Sequence, residues 1–195
     1  MEFQNSETKT NLMRAFAGES QARNRYTFAA ETAEQNNQYH IAQIFLFTAN
    51  QERAHAEIFY NHLSQLTGET VAIDGTFPVN ISDKLQDLLQ WAVHNEMEEY
   101  ELAYPDFATV ADQEGFPQVA ASFRQIAEIE HTHARRFQHI LQQVEQLTTG
   151  MQSQTQWMCL NCGHIHGGTT LPGQCPVCQH DKGYFVQLAM APWTC

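Results

Sequence analysis

Carboxylates and imidazoles recur at matched intervals in this chain: Glu19, Glu52-x-x-His55, Glu96-x-x-Glu99 and Glu130-x-x-His133. Glu19 and Glu52 are 33 residues apart, and Glu96 and Glu130 are 34, as if one two-helix unit occurred twice, each closing on Glu-x-x-His. Residues three apart on a helix project from nearly the same face, so each pair can offer its ligand atoms to one point. Hard oxygen donors with two imidazoles suit iron or manganese better than zinc held by thiolates. The pattern predicts a two-metal site lined by Glu19, Glu52, His55, Glu96, Glu99, Glu130 and His133.

Helices must aim these groups, and the apolar periodicity supplies four of them. Val119, Phe123, Ile126, Glu130, His133, Phe137, Ile140, Val144 and Leu147 follow one four-three alternation, with the candidate ligands in core positions. The same stripe runs through Leu12, Phe16, Glu19 and Tyr26, and through Ile41, Phe45, Thr48, Glu52, His55 and Phe59. A fourth joins Leu85, Leu89, Ala92, Glu96, Glu99, Ala103 and Val110. A lone Glu on a helix normally faces water. Carboxylates converging from four helices need cations, because burying unpaired charge is costly.

Neighbouring acids and histidines fail the stripe test. Glu98, Glu101, Glu128 and His131 are one or two residues off it and should face solvent or a neighbouring subunit, while His62, His94 and His139 read as surface or packing residues. Tyr26 and Tyr104 can each turn a phenol inward, where it would hydrogen-bond a buried carboxylate and relay protons. Spacing alone fits an ordinary core tyrosine equally well.

The first helix should begin near Thr8 or Asn11 and end by Asn36-Asn37, and the second should run from about Tyr39 to before Gly68. Thr67 to Ile81, with Gly75, Pro78 and no helical pattern, reads as a long crossover, followed by Ser82 as a cap for the third helix. Gly115 closes that helix and Pro117 opens the fourth. Pro105 falls inside the third helix by pattern and predicts a kink there. These signals give a bundle over residues 1–150, a linker over 151–156 and a small unit over 157–195.

The net charge of −12 disfavours nucleic acid and anionic membrane as partners. Met1 to Asn11 is polar, and no apolar stretch approaches a membrane span, which predicts a cytoplasmic protein. Five cysteines crowd into the last 37 residues. Cys159-x-x-Cys162 and Cys175-x-x-Cys178, with Gly163 and Pro176 in the turns, predict one tetrahedral four-thiolate site, whose metal also holds a very small fold together. Zinc and iron both accept four thiolates; zinc would be structural and iron would carry single electrons. Cys195 lies outside the spacing and reads as a loose terminal thiol.

With Ala17-Gly18-Glu19-Ser20-Gln21-Ala22-Arg23-Asn24-Arg25-Tyr26, Glu52-Arg53-Ala54-His55, Tyr104-Pro105 and the CxxCG and CPxC pairs, the chain resembles the rubrerythrin family over nearly its whole length. The resemblance implies a mainly α fold, a ferritin-like four-helix bundle with a small C-terminal rubredoxin-like β/metal-knuckle domain. It implies a non-haem di-iron centre reducing hydrogen peroxide to water, fed one electron at a time by an Fe(Cys)4 centre, itself supplied by a reductase or rubredoxin. By the family pattern Glu19, Glu52, Glu96, Glu99, Glu130 and His133 are iron ligands, and one iron exchanges Glu99 for His55 on reduction. Tyr26 and Tyr104 resemble tyrosines that support those ligands. The family's homodimers imply that one subunit's tail serves the other's bundle. His131 beside Glu130 is a departure of open role. The competing class is an iron-storage bundle whose tail is a structural zinc ribbon.

Overall fold

The computed structural model describes residues 2–149 and 155–191. Its first part is helical: α1 (Glu7–Gln35), α2 (Tyr39–His62), α3 (Leu85–Glu98), a π-helical turn over Glu99–Ala103, α4 (Tyr104–Glu114) and α5 (Pro117–Thr149). With α3, the π-turn and α4 running as one interrupted helix, four long helices form the bundle. α1 starts earlier than the Thr8 expected, because Ser6 accepts a hydrogen bond from the Lys9 amide and caps it. Asn37 takes the left-handed conformation (φ 57°) that turns the chain from α1 into α2. Gly115 does the same at φ 88° ahead of α5.

Two expectations change in the third helix. Ser82 is not its cap: Lys84 holds that position, while Ser82 Oγ accepts from the Lys84 amide and donates to Asp87. The disturbance at Pro105 is a π-turn. The Tyr104 amide donates to the Glu99 carbonyl five residues back, and Pro105, which has no amide to offer, sits in the first turn of α4. A π-turn inserts one extra residue, so everything after it shifts by one position. Ala103 and Val110, expected on the stripe, are only half-buried, whereas Tyr104, Ala108 and Ala111 are buried instead.

Two apolar clusters divide the bundle. One gathers Tyr26, Phe45, Leu89, Phe137 and Ile140; the other gathers Leu12, Phe59, Tyr104, Phe123 and Ile126. Phe45, Phe59, Phe123 and Phe137 are wholly buried. Each such side chain contributes about 1.5–3 kcal/mol relative to exposure. Along every helix the candidate ligands fall between the two clusters, so apolar packing on both sides fixes their height.

The crossover between α2 and α3 lies against the bundle. Arg14 pairs with Asp74 at 2.5 Å, and the side chain of Asn80 accepts from Arg25 and from Asn95. After the bundle comes an antiparallel sheet of β1 (Thr155–Cys159), β2 (Ile165–Gly168) and β3 (Phe185–Gln187), in the order β2-β1-β3. Thr155 and Gln156, expected in the linker, already pair with Gly168 and Gly167. The rest of that linker, 151–154, and Cys195 lie outside the described residues. The tail meets the α1–α2 turn, where Tyr184 packs on Tyr39 with ring centroids 4.6 Å apart. Gly183 comes so close there that an added Cβ would fall 2.0 Å from the Asn37 carbonyl oxygen. Among the described residues no helix is long and apolar enough to cross a membrane.

Candidate metal centre

Within the bundle the ligand atoms gather into two groups that share members. Glu19, Glu52, His55 and Glu130 form one, and Glu52, Glu96, Glu130 and His133 form the other, with the offered atoms of each group all within 4.8 Å of one another. All six of these residues are buried. Glu52 and Glu130 belong to both because each divides its carboxylate. His55 Nδ1 lies 3.3 Å from Glu52 Oε2 and 2.9 Å from Glu130 Oε1, while His133 Nδ1 lies 3.0 Å from Glu52 Oε1 and 2.8 Å from Glu130 Oε2.

These approaches are close, yet both oxygens of Glu52 and Glu130, together with Glu19 Oε2 and His55 Nδ1, are buried without a hydrogen bond among the described residues. Buried polar atoms are normally hydrogen-bonded. Donor atoms that converge without hydrogen-bond geometry fit a shared cation. The donor set therefore suits two metal ions, with Glu52 and Glu130 offering oxygens to both groups.

Burial and mutual charge set the protonation of the metal-free groups. Burial pushes the Glu19 carboxyl up to about 8, with His55 pulling the other way. Burial and the charges of Glu19 and Glu52 push Glu130 well above the usual carboxylate range. Glu52 is the exception: burial raises it, but His133 and His55 outweigh burial and hold it at about 2. Burial lowers both imidazoles, and the carboxylates overcome it, bringing His55 to about 10 and His133 to about 11. Without metal, protons take the place of cations.

Each apolar cluster sends one phenol into this centre. Tyr26 donates to Glu96 Oε1, and Tyr104 donates to Glu19 Oε1 at 2.5 Å. Burial first, then the adjoining carboxylates, lifts both phenols well above their usual range, so they remain protonated donors. Spacing could not distinguish this from plain core packing; the geometry places both hydroxyls on ligand carboxylates.

Glu99 stands apart. It joins neither group, is half-buried, and lines a cavity under the crossover. Burial and the charges of Glu19 and Glu96 raise its carboxyl well above the usual range, with Arg25 partly offsetting them. Arg25 and the buried Asn95 were not among the expected site residues. Both carry long-range hydrogen bonds to Asn80, which leave no periodic signal. Glu98, Glu101 and Glu128 face solvent as expected, and half-buried His131 stacks on Tyr100 at 4.4 Å.

In the tail, Cys159, Cys162, Cys175 and Cys178 bring their sulfurs within 4.8 Å of one another. Cys159 and Cys178 Sγ are 3.7 Å apart, and Cys162 and Cys175 are 3.6 Å apart. A tetrahedron with metal–sulfur bonds of about 2.3 Å has edges of about 3.8 Å. The two knuckles repeat one backbone pattern. Gly163 and Gln179, each four residues past the first cysteine, take left-handed φ values of 76° and 63° and donate to the carbonyls of Cys159 and Cys175. The amide of His180 holds the Cys178 thiol down at about 6, favouring thiolate. Four thiolates in this shape bind one iron or one zinc.

The rubrerythrin family model matches residues 10–141, and the rubrerythrin rubredoxin-like domain model matches 157–186. Rubrerythrin-1 of Clostridium acetobutylicum is 43% identical over 183 residues, covering 92% of this chain and 93% of that one. Rubrerythrin of Nitratidesulfovibrio vulgaris is 37% identical over 186 residues, covering 95% and 96%. Among solved structures, nigerythrin in its fully reduced, all-ferrous state superposes with a TM-score of 0.63 at 26% identity, covering 92% of this chain and 86% of that one.

Proposed function

The chain belongs to the rubrerythrin family of oxidoreductases, and on that premise we propose that it is a peroxidase reducing hydrogen peroxide to water. The observation that carries the proposal is the pair of half-sites sharing Glu52 and Glu130, each completed by one histidine. Glu19, Glu52, His55 and Glu130 would hold one iron, and Glu52, Glu96, Glu130 and His133 the other. Iron held there would supply the electrons that reduce the O–O bond, while the residues named here hold and orient it.

The surrounding residues do the rest. Tyr104 and Tyr26 orient Glu19 and Glu96 by donating to one oxygen of each, which leaves the other oxygen for metal. Glu99, in the cavity wall and outside both groups, would be a further carboxylate available to iron, the position the family resemblance pairs with His55. The apolar clusters on either side exclude water from all but the cavity face.

Cys159, Cys162, Cys175 and Cys178 would hold one iron, which would supply single-electron chemistry fed by an external reductase or rubredoxin. These four free thiols suit a reducing compartment such as the cytoplasm. The tail packs at Tyr39, and Glu52 lies thirteen residues further along α2. At 1.5 Å per residue that is about 20 Å of helix. This separation within one chain supports a homodimer in which each tail serves the partner's bundle. The test is peroxide consumption by iron-loaded, pre-reduced protein: one peroxide lost per dimetal site supports a peroxidase, and none overturns it.

A further inference from the structure

A cavity of about 710 Å³ lies beneath the crossover, with Glu99 and Tyr104 in its wall. Hydrogen peroxide needs little of that volume. One water occupies about 30 Å³ of liquid, so a two-oxygen molecule takes roughly 50 Å³. Cavities of about 300–1,000 Å³ are the size that holds small organic ligands. The remaining wall is apolar over a broad stretch, from Phe77 and Pro78 of the crossover to Leu102 of the π-turn and Phe107 of α4.

The polar groups say what kind of organic molecule fits. Among the lining cations, Arg14 is already paired with Glu7 and Asp74. Arg25 gives one terminal nitrogen to Asn80 and keeps its Nε buried without a partner among the described residues. Asp74, Glu98, Glu99 and Asp106 share the wall, so there is no cationic surplus for a carboxylate or phosphate. A neutral molecule with one hydrogen-bonding end meets both conditions.

We infer that this cavity binds uncharged organic hydroperoxides, with the apolar group against Phe77, Leu102 and Phe107 and the peroxide end toward Glu99 and Tyr104. The chemistry rests on the peroxidase reading above. An organic hydroperoxide, two electrons and two protons give the alcohol and water. The O–O bond breaks, the electrons come from the two ferrous ions, and the protons come from solvent. The crossover forms the roof of the site, fastened by Arg14 to Asp74 and by Arg25 and Asn95 to Asn80.

Two measurements test this. The first is binding without turnover: oxidised, metal-loaded protein is titrated with 2-phenylpropan-2-ol, the alcohol corresponding to cumene hydroperoxide, and followed by NMR. Saturable binding is expected, weakened by at least about fivefold in Phe77→Ala and in Leu102→Ala. The second is consumption of cumene hydroperoxide by the pre-reduced protein, with one alcohol released per hydroperoxide. If hydrogen peroxide is consumed but the alcohol does not bind and cumene hydroperoxide survives, the inference is overturned and the peroxidase stands. If the alcohol binds saturably and neither peroxide is consumed, the cavity is a binding site and the peroxidase reading fails. Consumption of cumene hydroperoxide without saturable binding, and equally fast in both variants, also overturns the inference.

Discussion

The imidazoles of His55 and His133 lie face to face, with ring centroids 5.6 Å apart and planes 16° from parallel. Each turns its Nδ1 toward one oxygen of Glu52 and one of Glu130. The two Glu-x-x-His turns of α2 and α5 are thus mirrored across the bundle, and the carboxylates that join the half-sites come from the same helices as the histidines. A change in either glutamate would reach both donor groups.

Glu52→Ala or Glu130→Ala should therefore strip iron from the bundle, whereas Glu99→Ala should keep the iron and slow peroxide turnover. Glu99 joins neither donor group, while Glu52 and Glu130 belong to both. Iron per chain, measured beside turnover, decides. Equal iron loss in all three variants would remove the distinct role given to Glu99.

Metal removal should make stability depend steeply on pH. The Glu19 carboxyl rises in the fold to about 8 from a usual 4.5, so its contribution is full below about 4.5 and is lost as pH rises through about 8. His55 and His133, raised to about 10 and about 11, act in the same direction at higher pH. Glu52, held at about 2, opposes them only in strong acid, where its contribution fades as pH falls through about 2. Melting of the metal-free protein should move down steadily from pH 5 to pH 9, and at pH 7 lie below that of the loaded protein. A flat or rising profile would mean that these acids do not converge.

Tyr104→Phe removes the donor to Glu19 while leaving the ring in its apolar cluster. Losing a buried hydrogen bond to a charged group costs about 1.5–3 kcal/mol. Outer partners of metal ligands typically account for about 10–100-fold in activity or metal affinity. Thermal melts and turnover should both fall, and Tyr26→Phe should behave alike through Glu96. Unchanged turnover in both variants would reduce the phenols to packing.

Most of the bundle site was legible because α1, α2 and α5 keep an unbroken helical period through Glu19, Glu52, His55, Glu130 and His133. The π-turn was not. One inserted residue leaves no mark in composition, so the sequence stripe runs from Glu99 to Ala103 and Val110, whereas the chain turns Tyr104 and Ala111 inward. Pro105 was the visible trace of that break, which takes the form of a π-turn. Glu96 and Glu99 share the spacing of Glu52/His55 and Glu130/His133, so nothing local sets Glu99 apart; its separation from the two groups comes from where α3 ends. The crossover's fastenings, Arg14 to Asp74 and Arg25 to Asn80, join residues 60 and 55 apart and have no periodic signature. The cysteine knuckles, set by short-range turns, were fully legible.

The most direct test of the account is Cys159→Ser, which removes one of the four tail sulfurs and leaves every bundle ligand in place. Peroxide consumed per dimetal site is measured first in a single pre-reduced cycle and then with continuous reductant. The variant should match the parent in the single cycle and lose catalytic turnover, because in the proposed function the bundle would hold the reducing metals and only the tail would refill them. A variant that turns over as fast as the parent would contradict it and leave the tail a structural zinc ribbon.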